Sequence, residues 1–173
     1  YIRVLQMLVE RLKVAKAPEL PGRQRELAAA LRKANRPAEA AIQLGEVYAG
    51  MAPRSPQALA LWNQWLNCLL AADEPSVSKV LAEQTSDAAF DAGLARLNDH
   101  LTSLVLSDRH LPAIALLEEA MRQLPQRLTD EQRESLRRML NDCRMKQAQM
   151  DTQQVHKLSM QLTAADETNR KAA

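Results

Sequence analysis

Apolar residues recur every three or four positions through most of this chain, the spacing that lines one face of an α-helix. Ile2, Leu5, Leu8, Val9 and Leu12 open the series, with Arg3, Glu10, Arg11 and Lys13 between them, and predict a helix over 2–16. Pro18 and Pro21-Gly22 end it in a turn. Leu27, Ala28 and Leu31 mark the next helix, over 24–34. Pro37 starts a third, which carries Ala40, Ala41, Leu44, Val47 and Tyr48 and stops at Gly50 and Pro53. Ser55-Pro56 suits an N-cap followed by the first helical residue and leads into 59–72, with Leu61, Trp62, Trp65, Leu66, Leu69 and Leu70. After Asp73-Glu74, Pro75 opens a shorter helix with Val77, Val80 and Leu81. Phe90, Leu94, Leu97, Leu101, Leu104 and Val105 predict a helix from about Ser86-Asp87 to Leu106. The turn 107–110 follows, and Pro112 leads Ile114, Leu116, Leu117, Ala120 and Met121 to a stop at Leu124-Pro125.

The last element is long. Thr129 and Gln132 match a capping box, because the hydroxyl can accept from the amide three residues on while the Gln side chain reaches back. Its stripe of Leu136, Leu140, Cys143 and Met150 drifts to Ala148, Val155, Leu158 and Leu162, which argues against one straight heptad seam. The expected organisation is a flanking helix over 1–17, three helix hairpins over 21–125, a long helix over 129–162 that projects or caps, and a frayed polar tail over 163–173.

Pro37, Pro75 and Pro112 are 38 and 37 residues apart and stand in similar settings. A proline is tolerated at the first helical position, where its missing N–H has no partner to lose. The ladder therefore predicts three second helices at a regular interval, the mark of stacked helix–turn–helix repeats. Alternating and long β-branched runs are missing, so the fold class is all-α.

Residues 35–53 and 109–125 resemble the second helix of the tetratricopeptide repeat family. A small residue, a bulky one four later, another small residue and a closing proline are the places taken by Ala40, Leu44, Val47 and Pro53, and by Ala113, Leu117, Ala120 and Pro125. Ala at a helix crossing lets two backbones approach closely. In the middle repeat Val77 and Leu81 hold the first two places, Gln84 replaces the small residue and no proline closes the helix. The first helices lack the family's Trp, Gly and Tyr landmarks, and the interval exceeds its 34 residues. The resemblance implies an α-hairpin solenoid of about three helix pairs whose first helices line a concave groove for a partner peptide or helix. Carried onto this sequence, the lining would be Arg25, Ala29, Arg32 and Lys33, then Trp62, Leu66 and Leu69, then Asn98, Thr102 and Val105.

Composition sharpens this picture by exclusion. Apolar residues make up 46% of the chain but aromatics only 3%, so Ala and Leu build the core. Lys+Arg number 23 and Asp+Glu 21, well mixed, which removes a basic stripe for nucleic acid. Arg133, Arg137, Arg138 and Arg144 interleave with Asp130, Glu131, Glu134 and Asp142 and read as a solvated, paired face. No apolar run reaches the length of a membrane span. Cys68 and Cys143 read as buried free thiols, suited to a reducing cytoplasmic setting, although a periplasmic chain could carry them equally. Arg outnumbers Lys 16 to 7, which associates the chain with a GC-rich bacterial genome, and the start at Tyr1 reads as a segment of a longer chain.

Catalytic chemistry finds little support. His100, His110 and His156 lack the spacing of metal ligands, and His100 and His110 read as structural. Glu118-Glu119 and Asp130-Glu131 lie on a solvated face and in a first helical turn. Four glycines form no phosphate-binding loop. Trp62 and Trp65 read as packing between neighbouring hairpins, with one indole in the groove as the functional alternative. The expectation is a non-enzymatic interaction module without cofactor or metal. A secretion-type chaperone, or a scaffold that oligomerises through the long last helix, are the alternatives.

Overall fold

The computed structural model describes residues 1–51 and 55–172, with side chains as far as Thr163. Among these residues the chain is all-α, with eight helices and no strand. They are α1 (Ile2–Ala15), α2 (Leu20–Lys33), α3 (Pro37–Ala49), α4 (Pro56–Ala71), α5 (Val77–Ala82), α6 (Asp87–Leu106), α7 (His110–Gln123) and α8 (Asp130–Ala172). Pro53, expected to close the first repeat, lies outside the described residues.

Four helices end in the same way. Lys16, Asn35, Asp73 and Asp108 each take a positive φ, between 49° and 56°, just past α1, α2, α4 and α6. Such a left-handed residue swings the chain back so that the freed carbonyls of the last turn find donors. The N–H of Arg36 donates to the Leu31 carbonyl, Glu74 to Leu69 and Arg109 to Leu104, all at 2.9 Å. Asn35, Asp73 and Asp108 donate to Arg32, Leu70 and Val105 at 3.0–3.2 Å. Both bonds of a Schellman motif are thus made three times over, and Ala17 and Lys16 repeat them on Leu12 and Lys13. Asn and Asp tolerate this backbone better than other residues with a Cβ.

The prolines occupy less regular places than their spacing predicts. Pro37 is the first residue of α3, as expected. Pro75 stands in the turn before α5, and Pro112 is the third residue of α7, which begins at His110. Every one of these positions lacks an intrahelical acceptor for its N–H, so proline costs nothing there. The repeating device is the left-handed turn, and the prolines follow it at two or four residues.

Helix starts are capped where the sequence indicates. Ser55 Oγ accepts from Ala58 N at 3.0 Å, and Ser86 Oγ from Ala89 N at 3.3 Å. The capping box of α8 forms in both directions, Gln132 N to Thr129 Oγ1 at 3.2 Å and Thr129 N to Gln132 Oε1 at 2.9 Å. α8 does not stop near Leu162; its backbone stays helical through 163–172, replacing the expected frayed tail. At 43 residues it is about 65 Å long.

Most helices pack chiefly on their neighbours in sequence, and α5 packs chiefly on α7. α2 lies between α1 and α3, α4 joins α3 to α5 and α6, and α7 seats on α5, α6 and α8. One continuous apolar core follows, from Leu5 and Val9 on α1 to Leu136, Leu140 and Cys143 on α8. Both tryptophans serve it. Trp62 is buried where α6 comes closest, at Gly93. Trp65 lies over Gly45 of α3 and against Tyr48, ring centroids 5.5 Å apart. Polar groups tie the same helices: Glu46 of α3 accepts from buried Gln24 of α2 and, at 3.0 Å, from Lys13 of α1.

A Cβ at Gly93 would stand 2.5 Å from Leu81 Cδ2 and 2.9 Å from the Trp62 ring, whereas one at Gly22 would meet nothing within 4 Å. Gly93→Ala is therefore expected to destabilise the fold by about 1–3 kcal/mol through overpacking. Gly22→Ala should raise stability by about 0.5 kcal/mol by restricting the unfolded chain. Urea unfolding of the two variants beside the parent measures both; a neutral Gly93→Ala would refute the close approach of α6 to α4.

Candidate functional site

The expected single lining of first helices is divided by the fold. Arg25, Arg32 and Lys33 are exposed on α2, and Arg25 Nε donates to the Pro21 carbonyl at 3.4 Å. Lys33 and Ala29 line a broad, open cleft between α1 and α2 of about 1080 Å³, with Arg3 across from them. The charge of Arg32 reaches α4, where it opposes the upward push that burial gives the Cys68 thiol. Trp62 and Leu66 are 1% and 0% exposed, so neither can touch a partner, and Leu69 is buried with them. This corrects the expected lining. α4 has neighbours on both sides, α3 on one and α5 with α6 on the other, so the face that should be concave is core.

The third group sits elsewhere. Asn98 and Thr102 follow one another on α6, where Thr102 Oγ1 donates to the Asn98 carbonyl at 2.9 Å. Their side of α6 faces α8 rather than α4. Asn98 lines a small cleft of about 240 Å³ with Ser135 and Leu136 of α8. Ser135 also borders the adjoining groove, of about 610 Å³, where Thr102, Val105 and Leu106 oppose Met139, Cys143 and Met145.

This groove has a simple physical origin. α8 buries Leu136, Leu140 and Cys143, three or four residues apart, with α7 as its chief packing partner. Residues a quarter-turn away, Met139, Asp142, Lys146 and Gln149, then face α6 across α7 and form one wall. The floor is apolar, and two large apolar side chains stand open at its mouth, Leu106 at 81% and Met145 at 59% exposure. Charge is confined to the rim. Arg138 pairs with Glu134 at 3.2 Å, whereas Lys146 and Asp142 form no ion pair among the described residues. Desolvation raises the Cys143 thiol pKa; Lys146 opposes that rise and Asp142 adds to it.

The arginines of α8 are engaged largely as their spacing predicts. Arg133 pairs with Asp130 at 3.1 Å, and Arg137 and Arg138 with Glu134. Arg144 instead crosses to Glu118 of α7 at 2.8 Å, and Arg133 also donates to the Pro125 carbonyl at 2.7 Å.

Polar side chains gather in two further places, and both are joints. Asp73 lies 2.7 Å from His100 Nε2 through Oδ1 and accepts from Arg109 through Oδ2, tying the α4–α5 turn to α6 and to the α6–α7 turn. Arg127 stacks 4.1 Å over the Phe90 ring, donates to Asp87 at 3.0 Å and bonds the Gln84 carbonyl. His110 is buried at the start of α7, with Nε2 3.6 Å from Asp108, too far for a hydrogen bond. Among the described residues no three His, Cys, Asp or Glu side chains converge as metal ligands would. No helix of these residues is long and apolar enough to cross a membrane.

The family resemblance named Asn98, Thr102 and Val105 but not the α8 residues that oppose them. Met145 and Lys146 lie off the stripe that packs on α7, and an exposed Met or Lys on a polar helix carries no signal by itself. The Cys143 thiol gives this wall a chemical reporter. Because its pKa is raised, its alkylation by iodoacetamide should still climb steeply past pH 9, above the ~8.5 of a free thiol. At pH 7 the rate should be lower than in urea, because the folded thiol is both buried and less ionised. Peptide mapping separates Cys143 from Cys68; equal rates in folded and unfolded chain would place the thiol outside the buried wall.

Compared with family models, with curated proteins and with solved structures, the chain matches none.

Proposed function

We propose that the chain is a non-catalytic protein-interaction module of tetratricopeptide-like helix hairpins, and that its partner site is the groove between α6 and α8. The repeat reading draws support from three observations. Contacts run between neighbouring helices, as in arrays whose units touch only the next unit. The left-handed turns at Asn35, Asp73 and Asp108 are 38 and 35 residues apart. Ala40, Ala113 and Ala120 are each 0% exposed, as small residues at close helix crossings must be.

The observation that carries the binding site is the uncovered apolar floor. Val105, Leu106, Met139 and Met145 border an open groove that the chain's own helices leave empty of side chains. Its walls are two rigid helices, and a rigid groove spends little ordering entropy on an incoming segment. An amphipathic helix laid along it would bury its apolar stripe on these residues, the helix-in-groove mode of recognition. Lys33 lines a different cleft, Arg25 and Arg32 are exposed elsewhere on α2, and none of the three has a part in this contact.

The test uses a fluorescein-labelled 12-residue peptide with a Leu face and a Gln back, beside the same composition scrambled so that the face is lost. Anisotropy should show binding of the first and not of the second. Val105→Glu or Met139→Glu should weaken it at least about tenfold, by placing an unpaired charge on an apolar contact. The Arg25→Ala/Arg32→Ala/Lys33→Ala triple variant should bind as the parent does. Equal binding of both peptides, or a loss in the triple variant with the groove variants intact, would overturn the assignment.

A further inference from the structure

We infer that the partner segment is an amphipathic helix with an acidic edge, long enough to follow α8 beyond the groove; this rests on the groove being the partner site. The wall of the groove does not end where α6 ends. Helical spacing carries the same side of α8 from Asp142, Lys146 and Gln149 onward to Gln153, Lys157 and Met160. Each step is three or four residues, so these positions stay on one face at 3.6 residues per turn. Met145 and Met160, 59% and 63% exposed, border it at either end, and every residue between Ala148 and Thr163 is exposed.

The unpaired charge on this face is net positive. Lys146 and Lys157 are cationic and form no ion pair among the described residues. Asp142 is the one carboxylate among the residues named on this face, and Arg138, at the inner end, is already held by Glu134. Lys146 and Lys157 are eleven residues apart, about 16 Å or three helical turns. A partner helix lying alongside would meet them with carboxylates three turns apart on its own edge, while its apolar stripe enters the groove. A membrane surface fits this face less well, because Gln149 and Gln153 interrupt it and Val155, Leu158 and Leu162 point to the other side of α8.

The distance from Arg138 to Met160 is about 33 Å along the helix axis, so a partner of about 22 residues would span it. Contacts within the groove supply apolar burial. Contacts beyond it are exposed charge pairs, which steer and select more than they hold.

The experiment titrates the full chain against three fluorescein-labelled helices: Leu/Glu peptides of 12 and 24 residues, and a Leu/Lys peptide of 24. Both Leu/Glu peptides should bind more tightly than the Leu/Lys peptide, with an advantage that shrinks as sodium chloride rises from about 0.05 to 0.5 M. Lys146→Glu should weaken both Leu/Glu peptides by about tenfold. Lys157→Glu should weaken the 24-residue peptide about fivefold and leave the 12-residue one unchanged. Tighter or equal binding of Leu/Lys would overturn the acidic edge. An unchanged 24-residue affinity in Lys157→Glu would overturn the extension along α8. Neither result touches the groove itself, which is tested separately by the Leu-faced, Gln-backed helix, its scrambled control and the groove variants; circular dichroism of both variants checks that α8 remains helical.

Discussion

A backbone bond made three times at the same length organises this molecule. Arg36, Glu74 and Arg109 each reach back 2.9 Å to a leucine carbonyl, across a residue with positive φ. The leucines, Leu31, Leu69 and Leu104, are buried, so each turn fastens a helix end to the core it closes. Without the left-handed residue the chain would run on, and the last carbonyls of α2, α4 and α6 would lose their donors. The turns therefore decide where each hairpin folds back, and the hairpins decide which helices become neighbours. Asp73 joins two of these turns directly through Arg109, so that the second and third fold-backs are held in register.

From that order of helices the groove follows. α7 seats on α5, α6 and α8 at once, and its face toward them is built of Ala113, Leu116, Leu117 and Ala120, all fully buried. Small residues let the helices come close at α7, and on the side away from that contact α6 and α8 part. Of the larger side chains there, Leu106 and Met145 remain uncovered and Met139 is half-buried against the core. At the other crossing Gly93 admits Trp62, and the face of α4 that carries Trp62, Leu66 and Leu69 is buried in the core. One glycine thus explains why an indole that looked available for a partner is not.

Much of the helical order was legible, because periodicity and caps are local. The bounds of α3 and α6, the Ser55 and Ser86 caps and the Thr129–Gln132 box depend on residues within a few positions of each other. The turns were legible in part: Asn35, Asp73 and Asp108 stand at corresponding places, but their intervals of 38 and 35 residues are less regular than the 38 and 37 of the prolines. The packing of Trp62 between hairpins was legible from its stripe; that Trp62 and Leu66 are closed off from any groove was not, because it depends on Gly93, about thirty residues away. Asn98 and Thr102 lie on a face of α6 whose opposing wall is α8. Nothing local to α6 says which helix returns to lie beside it. The extent of α8 was misjudged for a related reason: the polar residues past Leu162 weaken an apolar stripe without breaking the backbone ladder.

Two substitutions in one turn separate the left-handed residue from the proline as the element that sets the fold. Asp108→Val puts a β-branched side chain at a φ of 56°, where its Cβ crowds the carbonyl. Pro112→Ala removes a proline from the first turn of α7, where its N–H has no intrahelical acceptor. Urea unfolding should show Asp108→Val less stable by about 1–2 kcal/mol and Pro112→Ala within about 0.5 kcal/mol of the parent. A tolerated Asp108→Val beside a costly Pro112→Ala would contradict the turn as the organising element.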